Sequence, residues 1–383
     1  MKKHHVIIDC DPGVDDAVML SFAFAARNAL DIAGITTVAG NVSAALTLRN
    51  ACLIRDIAAR PEIPVFAGCV RPLRRASVEA GHFHGESGLG SLPIAAPRSA
   101  AESSHAVDFI VSTLLDAEPA SVTLVATGPL TNLAVALGRE PDIRRGLREI
   151  ALMGGARSEG GNITASAEYN IYADPDAAAA VFGSGCAVVA FGLDATHQVR
   201  ATPERVAAIR AIGSPPALAV AELLAFSNAL PANGPSAQGS PLHDPCPIAW
   251  LLRPDLFRLR PCHVDVELRS PLTLGHTAVE FRAARRRPQN VLWATEANGA
   301  GVFALLTATL AADAARADSA MAPDSVSAAS AANVPFARSF LFRPPRMSCC
   351  VWANSSMSRM PPRPSFTSNT GSASSALLCD ERI

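Results

Sequence analysis

Lysine is almost missing from this chain of 383 residues, which has Lys2 and Lys3 and otherwise relies on arginine for positive charge. That bias carries no function by itself. Net charge is equally scarce, at -1, which removes the electrostatic case for a nucleic-acid or anionic-membrane partner. None of the nine cysteines forms a Cys-x-x-Cys pair. Cys10, Cys52, Cys69, Cys186, Cys246 and Cys262 stand singly among apolar neighbours, which predicts buried free thiols and no zinc site or disulfide framework. Long hydrophobic runs are lacking too. After the basic start Met1-Lys2-Lys3-His4-His5, the first apolar run lasts three residues, too short for a signal-peptide core, and no later run approaches membrane-spanning length. A cytoplasmic protein with no membrane partner is expected. What is present, 49% hydrophobic and 17% charged residues, fits a globular chain with one large α/β domain or two small ones.

Against this sparse background, Asp9-Cys10-Asp11-Pro12-Gly13-Val14-Asp15-Asp16-Ala17 sets four carboxylates within eight residues. The apolar run Val6-Ile7-Ile8 before it suits a buried strand, and the periodic run from Val18 suits a helix. The acids therefore fall where a parallel strand ends and a helix begins, the edge at which open α/β sheets bind ligands. Carboxylates at this density repel one another unless a cation sits among them, and hard oxygen donors favour Ca²⁺ or Mg²⁺. A simpler alternative is that Asp15 and Asp16 only cap the helix.

Further along, alternating strands and helices continue a βαβ pattern and predict an open, mostly parallel sheet flanked by helices. A strand over 32–38 delivers Asn41 to the same edge, although Asn41 alone reads as a turn residue. The unperiodic stretch 70–97 carries His82-Phe83-His84-Gly85-Glu86-Ser87-Gly88-Leu89-Gly90, a glycine-rich loop of the length that usually has a function. The strand 122–126 runs into Thr127-Gly128-Pro129, where a main-chain carbonyl could serve a hard cation. In 160–175, Asp174-Pro175 marks a helix start, while Asn162, Glu168 and Asn170 show no capping duty and offer a carboxylate and two amides suited to sugar hydroxyls. Asp244 before Pro245 again reads locally as a cap. Phe226, in a helix over 216–230, reads as core.

The opening nonapeptide resembles the signature of the inosine-uridine nucleoside hydrolase family, Asp-x-Asp-Pro-Gly-x-Asp-Asp. Haloacid-dehalogenase-type phosphatases also place Asp-x-Asp after a first strand, but their expected downstream lysine and acidic pair are not found in context. Four later stretches match the nucleoside hydrolases in order: His84-Gly85-Glu86, Thr127-Gly128-Pro129, Ala167-Glu168-Tyr169-Asn170-Ile171-Tyr172-Ala173-Asp174-Pro175 and His243-Asp244-Pro245-Cys246. Tyr169 replaces the commoner Phe. The similarity spans residues 5–312, so it implies one catalytic domain over 1–312 with its active site at strand C-terminal ends. Residues 313–383, rich in Ser, Ala, Pro and Arg, are expected to be a disordered tail, an out-of-frame or read-through extension of the domain.

Function follows from the resemblance as an expectation. It implies Ca²⁺ held by Asp11, Asp15, Asp16, the Thr127 carbonyl and Asp244, with Asp11 as general base and His243 facing the leaving base. Asn41, His84, Asn162, Glu168 and Asn170 would contact the substrate, a ribonucleoside whose N-glycosidic bond is hydrolysed to ribose and base. Base contacts are expected from 222–241, and a homodimer or homotetramer is implied. A catalytically silent nucleoside-binding module is the alternative from another class. A phosphohydrolase is disfavoured, since no arginine cluster or glycine-rich cradle stands at the strand ends.

Overall fold

The computed structural model describes residues 3–230, 238–282 and 287–321. Contacts divide the chain into units 1–324 and 325–383, and the account below concerns the first. Most of the 231–241 loop and the expected tail beyond 321 lie outside the described residues.

The first unit begins β1 (His4–Cys10), α1 (Val14–Ala25), β2 (Leu30–Thr37), α2 (Ala44–Ile57), β3 (Val65–Ala67) and the short α3 (Gly81–His84). Next come α4 (Ala106–Asp116), β4 (Val122–Ala126), α5 (Thr131–Arg139), β5 (Leu147–Met153), α6 (Tyr169–Ala173), α7 (Pro175–Phe182) and β6 (Val188–Phe191). The remainder is α8 (Leu193–Thr196), β7 (Arg200–Ala201), α9 (Pro203–Arg210), α10 (Pro215–Ala229), β8 (Ser240–Pro241), α11 (Pro245–Leu252), β9 (Phe257–Val266), β10 (Thr277–Glu280), β11 (Val291–Ala297) and α12 (Gly299–Met321).

Nine strands form one sheet in the order β10-β9-β11-β6-β5-β4-β1-β2-β3. From β3 through β11 the pairs are parallel, and β9 and β10 join antiparallel at one edge. Strand order reverses between β1 and β4, which opens a crevice beyond their C-terminal ends. The period-two alternation of β1 explains the two cores. Val6 and Ile8 join the core that includes α1, α2, α10, α11 and α12, while Ile7 joins the one beneath α4, α5 and α7. Both faces are covered, so the central stretches of the parallel strands are largely apolar, with Asp9 a buried exception.

The domain does not stop at residue 312. Helix α12 runs on to Met321, with Asp313 paired to Arg27 at 2.8 Å and Arg316 donating to the Ala25 carbonyl at 3.2 Å. Apolar periodicity fades after Leu310, but an alanine-rich segment remains a good helix former without it. Contrary to the expectation from run lengths, Gly299–Ser319 is long and apolar enough, by length and composition, to cross a membrane. Here Val302, Phe303, Leu306 and Leu310 are buried in the first core. Among the six cysteines described, Cys69 and Cys186 are only half-buried, and all six are free.

Ending the chain after Ala312 should lower Tm by on the order of 2 °C or more relative to ending it after Met321, because the Arg27 pair and the last helical turns are lost. Equal melting curves would show that residues 313–321 contribute nothing to the fold.

Candidate active site

The acidic nonapeptide divides its labour. Asp9, still inside β1, is fully buried and accepts from Thr36 Oγ1 (2.5 Å) and Asn132 Nδ2 (2.8 Å), so it ties three segments together. Burial pushes its carboxyl up to about 7. Asp11 is buried just past the strand, with Oδ2 accepting from the Asn41 N–H at 2.7 Å and Oδ1 lacking any partner. Burial, and then the neighbouring Asp16, hold its carboxyl well above the ordinary range. A methyl group at Gly40 would overlap Asp11 Oδ2, so glycine is what lets the carboxylate lie there.

Asp16 does cap α1, accepting from Gly13 N–H at 3.1 Å, and it also accepts from Thr127 Oγ1 at 2.8 Å and Asn41 Nδ2 at 3.1 Å. Burial and Asp15 raise it to about 6. Asp244 occupies the cap position of α11, yet its side chain makes no capping hydrogen bond. Packing of α11 on α1 brings it instead against Asp15, close enough for the two carboxyls to share a proton. One oxygen from each of Asp15, Asp16 and Asp244 lies within 4.8 Å of the others. Asp11 sits beside this trio rather than inside it.

The segment expected to grip a sugar is held on different terms from those read in the sequence. Glu168 has a capping duty after all: it accepts N–H bonds from Asn170 (3.0 Å) and Ile171 (3.2 Å) of α6, and from Gly155 (2.9 Å). Burial nevertheless raises it to about 7. The turn α6 is five residues long, too short for the apolar period to reveal. Asn170 spends its amide donors on the carbonyls of Thr127 (2.7 Å) and Met153 (3.1 Å), which leaves Oδ1 as an acceptor for a ligand. Asn162 is the converse, its Oδ1 taken by Tyr169 N–H at 2.9 Å and its Nδ2 left as donor. Asp174 caps α7 as expected.

These groups surround one cavity of about 580 Å³ lined by Asp15, Asn41, His84, Thr127, Asn162, Glu168, Asn170, His243 and Asp244. His84 Nδ1 accepts from the Val14 N–H at 3.0 Å and lies 4.0 Å from Asp15. Burial lowers this imidazole to about 4, so it is neutral near pH 7. His82 does not line the cavity; its ring lies 4.5 Å from that of Phe83, which does, at an interplanar angle of 51°. His243 bonds Thr196 Oγ1 through Nδ1 (2.8 Å), and burial, then His197, lower it to about 3. Phe226 packs on the first core.

The sequence reading missed His197 and Arg200, which line the far end of the cavity with Leu230 and Pro241. His197 follows a four-residue helix and Arg200 opens a two-residue strand, so no period or spacing marks them. Their position after a strand's C-terminal end was the available signal.

No lysine or arginine pairs with the clustered acids among the described residues. Two carboxyls in contact and an unpaired buried oxygen on a third are a donor set that fits a hard divalent cation. Comparison with known proteins agrees. The sequence profile of the inosine-uridine preferring nucleoside hydrolases matches residues 6–304. The chain is 42% identical over 308 residues to the pyrimidine-specific ribonucleoside hydrolase RihA of Photobacterium profundum, covering 80% of this chain and 98% of that one. It is 40% identical over 281 residues to the inosine-uridine preferring nucleoside hydrolase of Crithidia fasciculata, covering 73% and 89%. The solved purine-preferring ribonucleoside hydrolase from Gardnerella vaginalis superimposes with a TM-score of 0.75 at 30% identity, covering 81% and 99%.

Raised carboxyl pKa values have a definite consequence for the cation-free protein. Asp16, Asp9 and Glu168 bind protons more tightly folded than unfolded, so their stabilisation is complete below the ordinary values of 3.8 and 4.5. It is lost as pH rises through about 6 for Asp16 and about 7 for Asp9 and Glu168. In chelator, Tm should fall over this window, and saturating Ca²⁺ should flatten the fall. A cation-independent profile would show that the acids do not form a cation site.

Proposed function

The chain belongs to the inosine-uridine preferring nucleoside hydrolase family, and from that premise we propose that it hydrolyses the N-glycosidic bond of ribonucleosides with a calcium ion held by the acidic cluster. The observation that carries this reading is the convergence of Asp15, Asp16 and Asp244 beside an unpaired, buried Asp11 oxygen at one end of a cavity of about 580 Å³. Asp11, Asp15, Asp16, the Thr127 carbonyl and Asp244 would hold the ion. When bound, it supplies a fixed positive charge that orients ribose hydroxyls and makes a nearby water more acidic.

The chain's own residues do the rest. Asp11 Oδ1 accepts a proton from the attacking water as the water oxygen bonds to the anomeric carbon. Asp11 Oδ1 has no partner within the fold, so that oxygen is free to take the proton. The bond from that carbon to the base breaks, and its electron pair leaves with the base. While that bond lengthens and the new carbon–oxygen bond is still incomplete, positive charge develops on the sugar ring, and the surrounding carboxylates stabilise it more than they stabilise the bound substrate. Asn162 donates to, and Asn170 accepts from, the ribose hydroxyls, with Asn41 and His84 closing the same end. Glu168, held by three N–H groups, positions that end and turns a carboxyl oxygen to the sugar. His243 meets the leaving base. With its pKa near 3 the resting ring is neutral, and the tautomer in which Thr196 donates to Nδ1 carries its proton on Nε2 as a donor to the base.

Asp11→Ala should lower kcat by about a hundredfold or more at near-unchanged Tm, the range of a lost general base; retention of a few per cent of activity removes Asp11 from that role. Ribose release from inosine, uridine, cytidine and adenosine should be abolished by chelator and restored by Ca²⁺. Binding of these nucleosides without release from any of them would instead support a nucleoside-binding module.

A further inference from the structure

The acids and amides gather at one end of the cavity, and contacts lead from there to the other. His243 adjoins Asp244, its ring lies 5.8 Å from that of His197, and the His197 carbonyl accepts from Arg200 Nε at 2.7 Å. Arg200 is the first residue of β7, paired with Pro241 of β8, and its own carbonyl accepts from Arg205 Nη1 at 2.6 Å. Backbone and Nε are thus both anchored. Among the described residues, its two terminal amino groups have no hydrogen-bond partner and no carboxylate lies within 4.0 Å of them. Glu159, near the same end, is occupied by His197 at 3.0 Å. A half-buried guanidinium lining a cavity without a counter-ion is a pair of donors held ready for a ligand.

We propose that Arg200 is a specificity-determining residue that selects nucleosides whose base carries an oxo group at the position distinguishing inosine from adenosine and uridine from cytidine. This deepens, and rests on, the hydrolase reading above. The ribose end is defined by the carboxylates and amides, so a bound nucleoside points its base toward His243, His197 and Arg200. A 6-oxopurine presents two adjacent acceptors, O6 and N7, which match the guanidinium fork, whereas adenine presents an amino donor there. Uracil presents an acceptor where cytosine presents an amino donor. Bond cleavage strengthens the distinction. The electron pair of the broken bond enters the base ring and spreads onto the oxo oxygen, so Arg200 gains most in the transition state. An amino base offers the same cation a like-signed N–H edge.

The test measures kcat/KM for inosine, adenosine, uridine and cytidine in the Ca²⁺-loaded enzyme, Arg200→Leu and Arg200→Gln. The unmodified enzyme should favour inosine over adenosine and uridine over cytidine. Both variants should lower each ratio by about tenfold or more, with the loss falling on the oxo substrates. Arg200→Gln keeps an N–H donor at the position of Nε, facing the His197 carbonyl, if leucine disturbs β7. Equal losses on all four substrates, or unchanged ratios in a folded variant, overturn the role of Arg200 while leaving the hydrolase reading intact. If the unmodified protein releases no ribose from any of the four, the hydrolase reading fails and this inference with it.

Discussion

Burying several carboxylates within a few ångströms of one another is the constraint on which this molecule is built. Desolvation holds the proton of each of Asp11, Asp15, Asp16 and Asp244 above the ordinary range, and repulsion from neighbouring carboxylates adds to it for Asp11, Asp16 and Asp244. Such a cluster persists only where surrounding groups fix it, and much of the neighbouring architecture does that. Asp9 anchors the end of β1 to β2 and α5, and Asn41 bonds both Asp11 and Asp16. Thr127 joins β4 to Asp16 through its hydroxyl.

Small residues make this density possible. A methyl group at Gly13 would lie 2.5 Å from His84 Nδ1 and 2.7 Å from Asn41 Nδ2, and one at Gly128 would lie 2.7 Å from Asp11 Oδ1. The constraint at these positions is close approach, since none of them has a positive φ. Glycine therefore serves the acids by lending them volume. The same economy holds at the sugar side, where Asn162 and Asn170 each give one half of the amide to backbone and keep the other half for a ligand.

The two ends of the cavity are electrostatic opposites. One gathers carboxylates that could hold a metal ion; the other offers Arg200 with the neutral His243 between them. Cleavage of a glycosidic bond separates charge in that sense, positive on the sugar and negative on the base. A site polarised along the same direction stabilises both developing charges without having to reorganise.

Some of this was legible in the residues alone. Apolar runs closing on polar residues placed Asp11, Asn41 and Thr127 at strand C-terminal ends, because buried parallel strands are apolar and their ends are not. The five motifs in order carried the family. Contacts across the chain were not legible. Asp244 looks like a helix cap in its own sequence, and only the packing of α11 on α1 brings it to Asp15. Glu168 looks free of capping duty because α6 is a single short turn. The end of α12 was hidden because alanine sustains a helix with no apolar period to show it. Arg200 lies in a two-residue strand whose partner is forty residues away, at Pro241. Local sequence determined which groups stand at the sheet edge. The reversal of strand order between β1 and β4, a property of the whole sheet, decided which of them meet.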